Sequence, residues 1–228
     1  MEVPYLSILF KNGLLNDEVP LLRGAVIAAV GREHLLFHNH LGDKEYRYGY
    51  PLIQYKRLYG QAAIVCLKEG VDAIGNFFAN YQNEMRLGNK TEQMELEMVR
   101  PMTVNIQLWQ TPLHYRLTRW LPLNADNYKL YRSTESMTDR IALLERILTG
   151  NILSICKGLD IHLDDPLSVK ILDIAKTYSI WHKGVKVMAF DLTFSSNISL
   201  PDYIGIGKNA SLGCGTVSRI RKRAEKET

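Results

Sequence analysis

Two stretches of this 228-residue chain carry side chains suited to more than packing. The first is Phe37-His38-Asn39-His40, with Arg32, His34, Lys44, Tyr46, Arg47 and Tyr48 close by in sequence. Imidazole titrates near neutral pH, so His38 and His40 can supply one general base and one general acid without a metal. Histidines at i and i+2 also suit metal ligation from an extended segment, but no third cluster of Asp, Glu or Cys is apparent in the sequence to complete a site. Histidines in a surface loop remain the plain alternative.

The second stretch is Gly205-Ile206-Gly207-Lys208-Asn209-Ala210-Ser211-Leu212-Gly213-Cys214-Gly215, two Gly-x-Gly pairs around one lysine. Glycine accepts positive φ and close approach, so such a loop can aim several N–H groups at phosphate oxygens; a tight turn before a last strand is the other reading. Its first half fits the dinucleotide pattern G-x-G-x-x-G/A. That pattern needs a following helix and an acidic residue about 20 positions on, and only 18 residues follow Ala210. Neither a phosphate-binding Walker loop nor a Gly-x-Ser-x-Gly nucleophile elbow is present. His114, His162 and His182 are isolated from one another and read as structural.

Composition narrows the setting. Lys and Arg total 28 against 24 acidic residues, a net charge of +4, so any nucleic-acid surface must be local. Arg219, Arg221, Lys222, Arg223 and Lys226 crowd the last ten residues, interleaved with Glu225 and Glu227. Cys66, Cys156 and Cys214 are odd in number and far apart, which argues against a disulfide framework or a structural zinc site and suits a reducing cytoplasm. No apolar run approaches the roughly 20 residues that span a bilayer, and the start lacks a signal-peptide pattern, so a cytoplasmic protein without a membrane partner is expected.

The elements that must position these stretches follow from periodicity and punctuation. Val3 to Phe10 reads as a strand ended by Lys11-Asn12-Gly13, and Pro20 to Gly31 as a helix. Arg32 to Gly49 reads as a loop. Pro51 to Arg57 and Gly60 to Leu67 read as strands. Val71, Ile74, Phe78, Tyr81 and Met85 share one face of a second helix, and Met94 to Leu108 reads as an edge strand around Pro101. This β-α-β-β-α-β order is ferredoxin-like, with helices on one face of an antiparallel sheet and the other face left available.

After Gln110-Thr111-Pro112 the order restarts. His114 to Leu121 is a strand, Asn124 to Thr134 a polar stretch, and a long helix capped by Ser136 runs to Gly158. Val169 to Trp181 and Val185 to Phe194 form a hairpin, and a last strand lies near Leu212 to Ile220. Only Ser199 to Ile204 is left for a second helix. The expectation is an α+β chain of two tandem ferredoxin-like (RRM-like) domains, 1–110 with the histidine loop and 111–228, degenerate, with the C-terminal glycine-rich loop.

This order, the histidine-bearing loop after the first helix and the G-x-G-x5-G-x-G loop together resemble the repeat-processing endoribonucleases of CRISPR antiviral systems, closest to the subtype with two histidines in the first-domain loop. Cys214 stands where that family's loop commonly carries an aromatic residue. The resemblance implies metal-independent cleavage of precursor CRISPR RNA within its repeats, with no cofactor. The 2′-OH attacks the neighbouring phosphorus and leaves 2′,3′-cyclic phosphate and 5′-OH ends. His38 and His40 would divide the base and acid roles, in an order left open. Tyr46 would position the phosphate or 2′-OH, and Arg32, Lys44 or Arg47 would offset charge. RNA would be gripped by Gly205, Gly207, Lys208, Gly213, Gly215, the basic tail and the groove between the two sheets. The partner is the repeat RNA, with room for a homodimer. A non-catalytic subunit of the same fold that holds processed RNA is the alternative.

Overall fold

The apolar run after Met1 has no strict alternation, which suits a strand buried on both faces. The computed structural model describes residues 1–31, 34–38, 49–81, 83–182 and 184–221, and in it this run is β1 (Glu2–Gly13). Its Leu6, Ile8 and Phe10 pack under helices of the first domain, while Val3 and Tyr5 join the core of the second. The face expected to stay available is therefore largely covered by the second domain, because β1 and β3 are apolar on both sides.

Helix α1 (Val19–Val30) carries Pro20 in its first turn and stops at Gly31, whose φ of 91° follows an N–H bond back to Ile27 O at 3.0 Å. A four-residue turn of helix, α2 (Leu35–His38), lies within the stretch expected to be loop. Strands β2 (Ile53–Leu58) and β3 (Gln61–Leu67) meet across Tyr59-Gly60.

The expected second helix is two short pieces, α3 (Glu69–Ala73) and α4 (Gly75–Asn80). Asn83 turns left-handed at φ 59°, and Met85 and Leu87 are instead the buried side of β4 (Glu84–Leu87), hairpinned to β5 (Lys90–Gln93). Gly and Asn weaken the helix, and the i, i+2 apolar pair favours the strand. Edge strand β6 (Leu96–Asn105) pairs only with β1, so Pro101 removes no ladder bond.

The second domain runs β7 (Leu108–Trp120), α5 (Ala125–Ser133), α6 (Met137–Gly158), β8 (Val169–His182), β9 (Val185–Ile198) and β10 (Thr216–Arg219). The polar stretch from Asn124 to Thr134 forms α5: Asn124 caps it, accepting from Asn127 N at 2.8 Å, but it buries no residue and so carries no apolar stripe. Ser136 caps α6 in the same way. The sheets read β2-β3-β1-β6 and β10-β7-β9-β8. Both therefore place their fourth, first, third and second strands in that order, the ferredoxin-like arrangement repeated. Between β9 and β10, where a second helix would lie, runs the glycine-rich loop.

Candidate functional site

Strand β2 is an edge whose Gln54, Tyr55 and Lys56 are all fully buried. Buried polar groups need partners, and the glycine-rich loop supplies them. Gly205 N donates to Gln54 Oε1 at 2.8 Å, Lys56 Nζ donates to Ala210 O at 2.8 Å, and Tyr55 N donates to Ser211 O at 2.9 Å. Leu212 adds a short parallel bridge beside Tyr55. Tyr50 OH donates to Gly205 O at 2.8 Å, and its Cβ and backbone lie where a side chain on Gly158, at the end of α6, would sit. The loop of the second domain thus clasps the open edge of the first.

The close approach explains the glycines. A Cβ on Gly205 would lie 2.5 Å from Ala210 O and 2.7 Å from Lys56 Nζ. On Gly215, at φ +62°, it would lie 1.9 Å from Ile206 O. The N–H groups of Gly205, Ile206, Leu212, Cys214 and Gly215 all donate within the protein. Lys208 stands exposed at the loop's tip, and its neighbour Asn209 contacts the His182 ring at 3.1 Å.

Burial sets the electrostatics here. It lowers the Lys56 ammonium from 10.5 to about 7, against a smaller opposing pull from Cys214, and it pushes the Cys214 thiol up. Tyr50 and Tyr55 are also raised by burial.

The histidine segment begins beside α1. Phe37 is buried, its carbonyl lies 3.5 Å from Tyr55 OH, and Arg23 Nη2 donates to His38 O. Arg23 is partly buried, and burial lowers its pKa. His40, Tyr46, Arg47, Lys44 and Arg32 lie outside the described residues. Both flanks of 39–48 are fixed, one on α1 through Arg23 and the other on the glycine loop through Tyr50.

Two family models divide the chain, the Cas6b N-terminal domain over residues 1–105 and the Cas6b C-terminal domain over 107–220. The chain belongs to the Cas6b family. A crystal structure of Cas6b matches it with a TM-score of 0.88 at 29% identity, covering 96% of this chain and 100% of that one. A second, the crystal structure of CRISPR RNA processing endoribonuclease Cas6b, matches at TM-score 0.74 and 27% identity with the same coverage. An uncharacterized protein of Methanocaldococcus jannaschii is 35% identical over 106 residues, 46% of this chain and 71% of its own length.

In this Cas6b chain, no three His, Cys, Asp or Glu gather at a metal-binding spacing among the described residues, and no described helix is long and apolar enough to cross a membrane. The sequence reading missed Tyr50, Gln54, Lys56 and Arg23. A signal existed for two of them: Gln54 and Lys56 lie among the apolar Ile53, Tyr55 and Leu58, and on a buried edge such side chains call for polar partners from elsewhere.

Proposed function

We propose that this chain is an endoribonuclease that cuts precursor CRISPR RNA within its repeats. The match of both halves to the Cas6b family, with a solved relative described as a CRISPR RNA processing endoribonuclease, carries the reading. The chemistry is in-line attack of a ribose 2′-OH on the adjacent phosphorus. The 2′-oxygen loses its proton to a base, the P–O5′ bond breaks, and the departing 5′-oxygen takes a proton from an acid. The products are a 2′,3′-cyclic phosphate and a 5′-OH, and no metal enters.

His38 and His40 divide the proton transfers. Tyr46 positions the phosphate, and Arg32, Lys44 or Arg47 offset charge on it. Lys208 and the Gly205–Gly215 loop meet the RNA from the second domain. Two anchors support this division: Arg23 holds the backbone at His38, and Tyr50 ties the far side of the same segment to Gly205. Base and acid are thereby assigned to a segment whose described flanks are held by different domains.

The test is incubation of the protein with its own repeat RNA in EDTA, with analysis of product ends. Cyclic-phosphate ends are expected. Each histidine should contribute roughly 10² to 10⁴ in rate, so the double variant His38→Ala/His40→Ala should bind RNA and leave it intact. Binding by the wild type without cutting would assign the chain to the non-catalytic alternative.

A further inference from the structure

Helix α2 is a single turn, Leu35–His38, too short to hold its shape by its own backbone bonds. Its surroundings hold it instead. Phe37 is buried in the first-domain core, and its ring meets His34 edge to face with centroids 6.3 Å apart. The last carbonyls of a helix have no partner within it, and here two side chains from neighbouring elements reach them. Phe37 O lies 3.5 Å from the Tyr55 hydroxyl of β2, and His38 O accepts from Arg23 Nη2 of α1. A cation at this end also suits the negative pole of the turn. The peptide unit that carries the His38 imidazole is thus fixed by one side chain of α1.

Arg23 occupies an unfavourable place to do this. It lies four residues after Val19 and three before Val26, at the margin of the stripe that α1 buries. Burial lowers its pKa, and the neighbouring Tyr55 offsets this only in part. Arg23 Nε is buried without a hydrogen-bond partner among the described residues, and no described carboxylate pairs with the guanidinium. An unpaired buried donor and a desolvated charge both destabilise, and an apolar side chain of similar length would incur neither penalty. Packing alone therefore favours methionine over arginine here. The one hydrogen bond that sets Arg23 apart ends on the residue to which a proton transfer is assigned.

We propose that Arg23 is a positioning residue of the cleavage reaction, retained in α1 at the expense of stability because it fixes where His38 stands. It acts through the His38 carbonyl and does not itself touch the RNA. The inference rests on the endoribonuclease reading above. It adds a residue outside the histidine segment on which the rate depends.

The experiment compares the full chain with Arg23→Met in three measurements: single-turnover cleavage of its own repeat RNA at saturating protein, binding of the same RNA made uncleavable by a 2′-deoxy nucleotide at the cleavage position, and urea denaturation. Cleavage should slow by roughly tenfold to a hundredfold, the scale set by a misplaced catalytic group. Binding should hold within about twofold, well under the tenfold that marks a lost contact. Unfolding free energy should be equal to that of the wild type or higher. Arg23→Lys keeps a charged donor on a shorter stem and should cut faster than Arg23→Met. An unchanged rate, RNA binding that weakens in step with the rate, an Arg23→Met protein that is destabilised or unfolded, or an Arg23→Lys protein no faster than Arg23→Met would overturn the positioning role alone. A wild type that binds its repeat RNA and leaves it intact would overturn the endoribonuclease reading and the proposal with it.

Discussion

Replacing Lys56 by methionine separates what the buried ammonium costs from what its hydrogen bond contributes. The side chain is fully enclosed, donates to Ala210 O at 2.8 Å and faces Cys214 and the Gly205 backbone. Desolvation lowers it to about 7 from 10.5. Between those values the unfolded chain holds a proton that the folded chain has shed, so stability rises with pH through that window. Below about 7 both states are protonated and the folded state carries the full cost of the buried charge.

From about pH 6 to about pH 9 the wild type should gain roughly 2–3 kcal/mol from this group, a gain that Lys56→Met lacks. The neutral amine still donates to Ala210 O, so the bond itself is kept across the window. Cys214 stays a thiol, since burial raises it. Urea denaturation of both proteins across this range checks the point, because their difference cancels the titration of other groups. Parallel stability profiles would refute the assignment of a depressed Lys56.

Three further outcomes follow from the same contacts. Gly215→Ala places a Cβ 1.9 Å from Ile206 O at φ +62°, whereas Gly184→Ala, at φ +77°, meets nothing within 4 Å. The second should cost about 1–2 kcal/mol of unfolding free energy and the first several more, and similar values would contradict the close approach. Tyr115→Phe removes the donor to Ile198 O at 2.9 Å and leaves Leu200 N without its 3.0 Å acceptor, a loss of about 1–3 kcal/mol in the same assay. Asn124→Ala should cost about 1 kcal/mol through the lost α5 cap.

Elements with a strong local pattern were legible in the sequence. The Ser136-capped stripe of α6, the Pro20-to-Gly31 span of α1 and the edge position of Pro101 all follow from side-chain spacing and backbone chemistry. Misread elements had patterns that served two periods or none. Met85 fits a helical face at i+4 from Tyr81 and equally a strand face with Leu87, and α5 buries nothing, so no stripe marks it.

The glycine loop was found by its spacing, but its clasp on β2 was not, because that pairing joins residues about 150 positions apart. Gln54 and Lys56 carried the only hint.

The central claim is that the RNA's own 2′-OH is the nucleophile, with the histidine segment moving protons. It is tested most directly by a repeat RNA carrying a single 2′-deoxy nucleotide at the position of cleavage. The account predicts that this RNA binds as well as the unmodified one and is not cut at that bond, in EDTA or with magnesium. Cleavage at the deoxy position would contradict it.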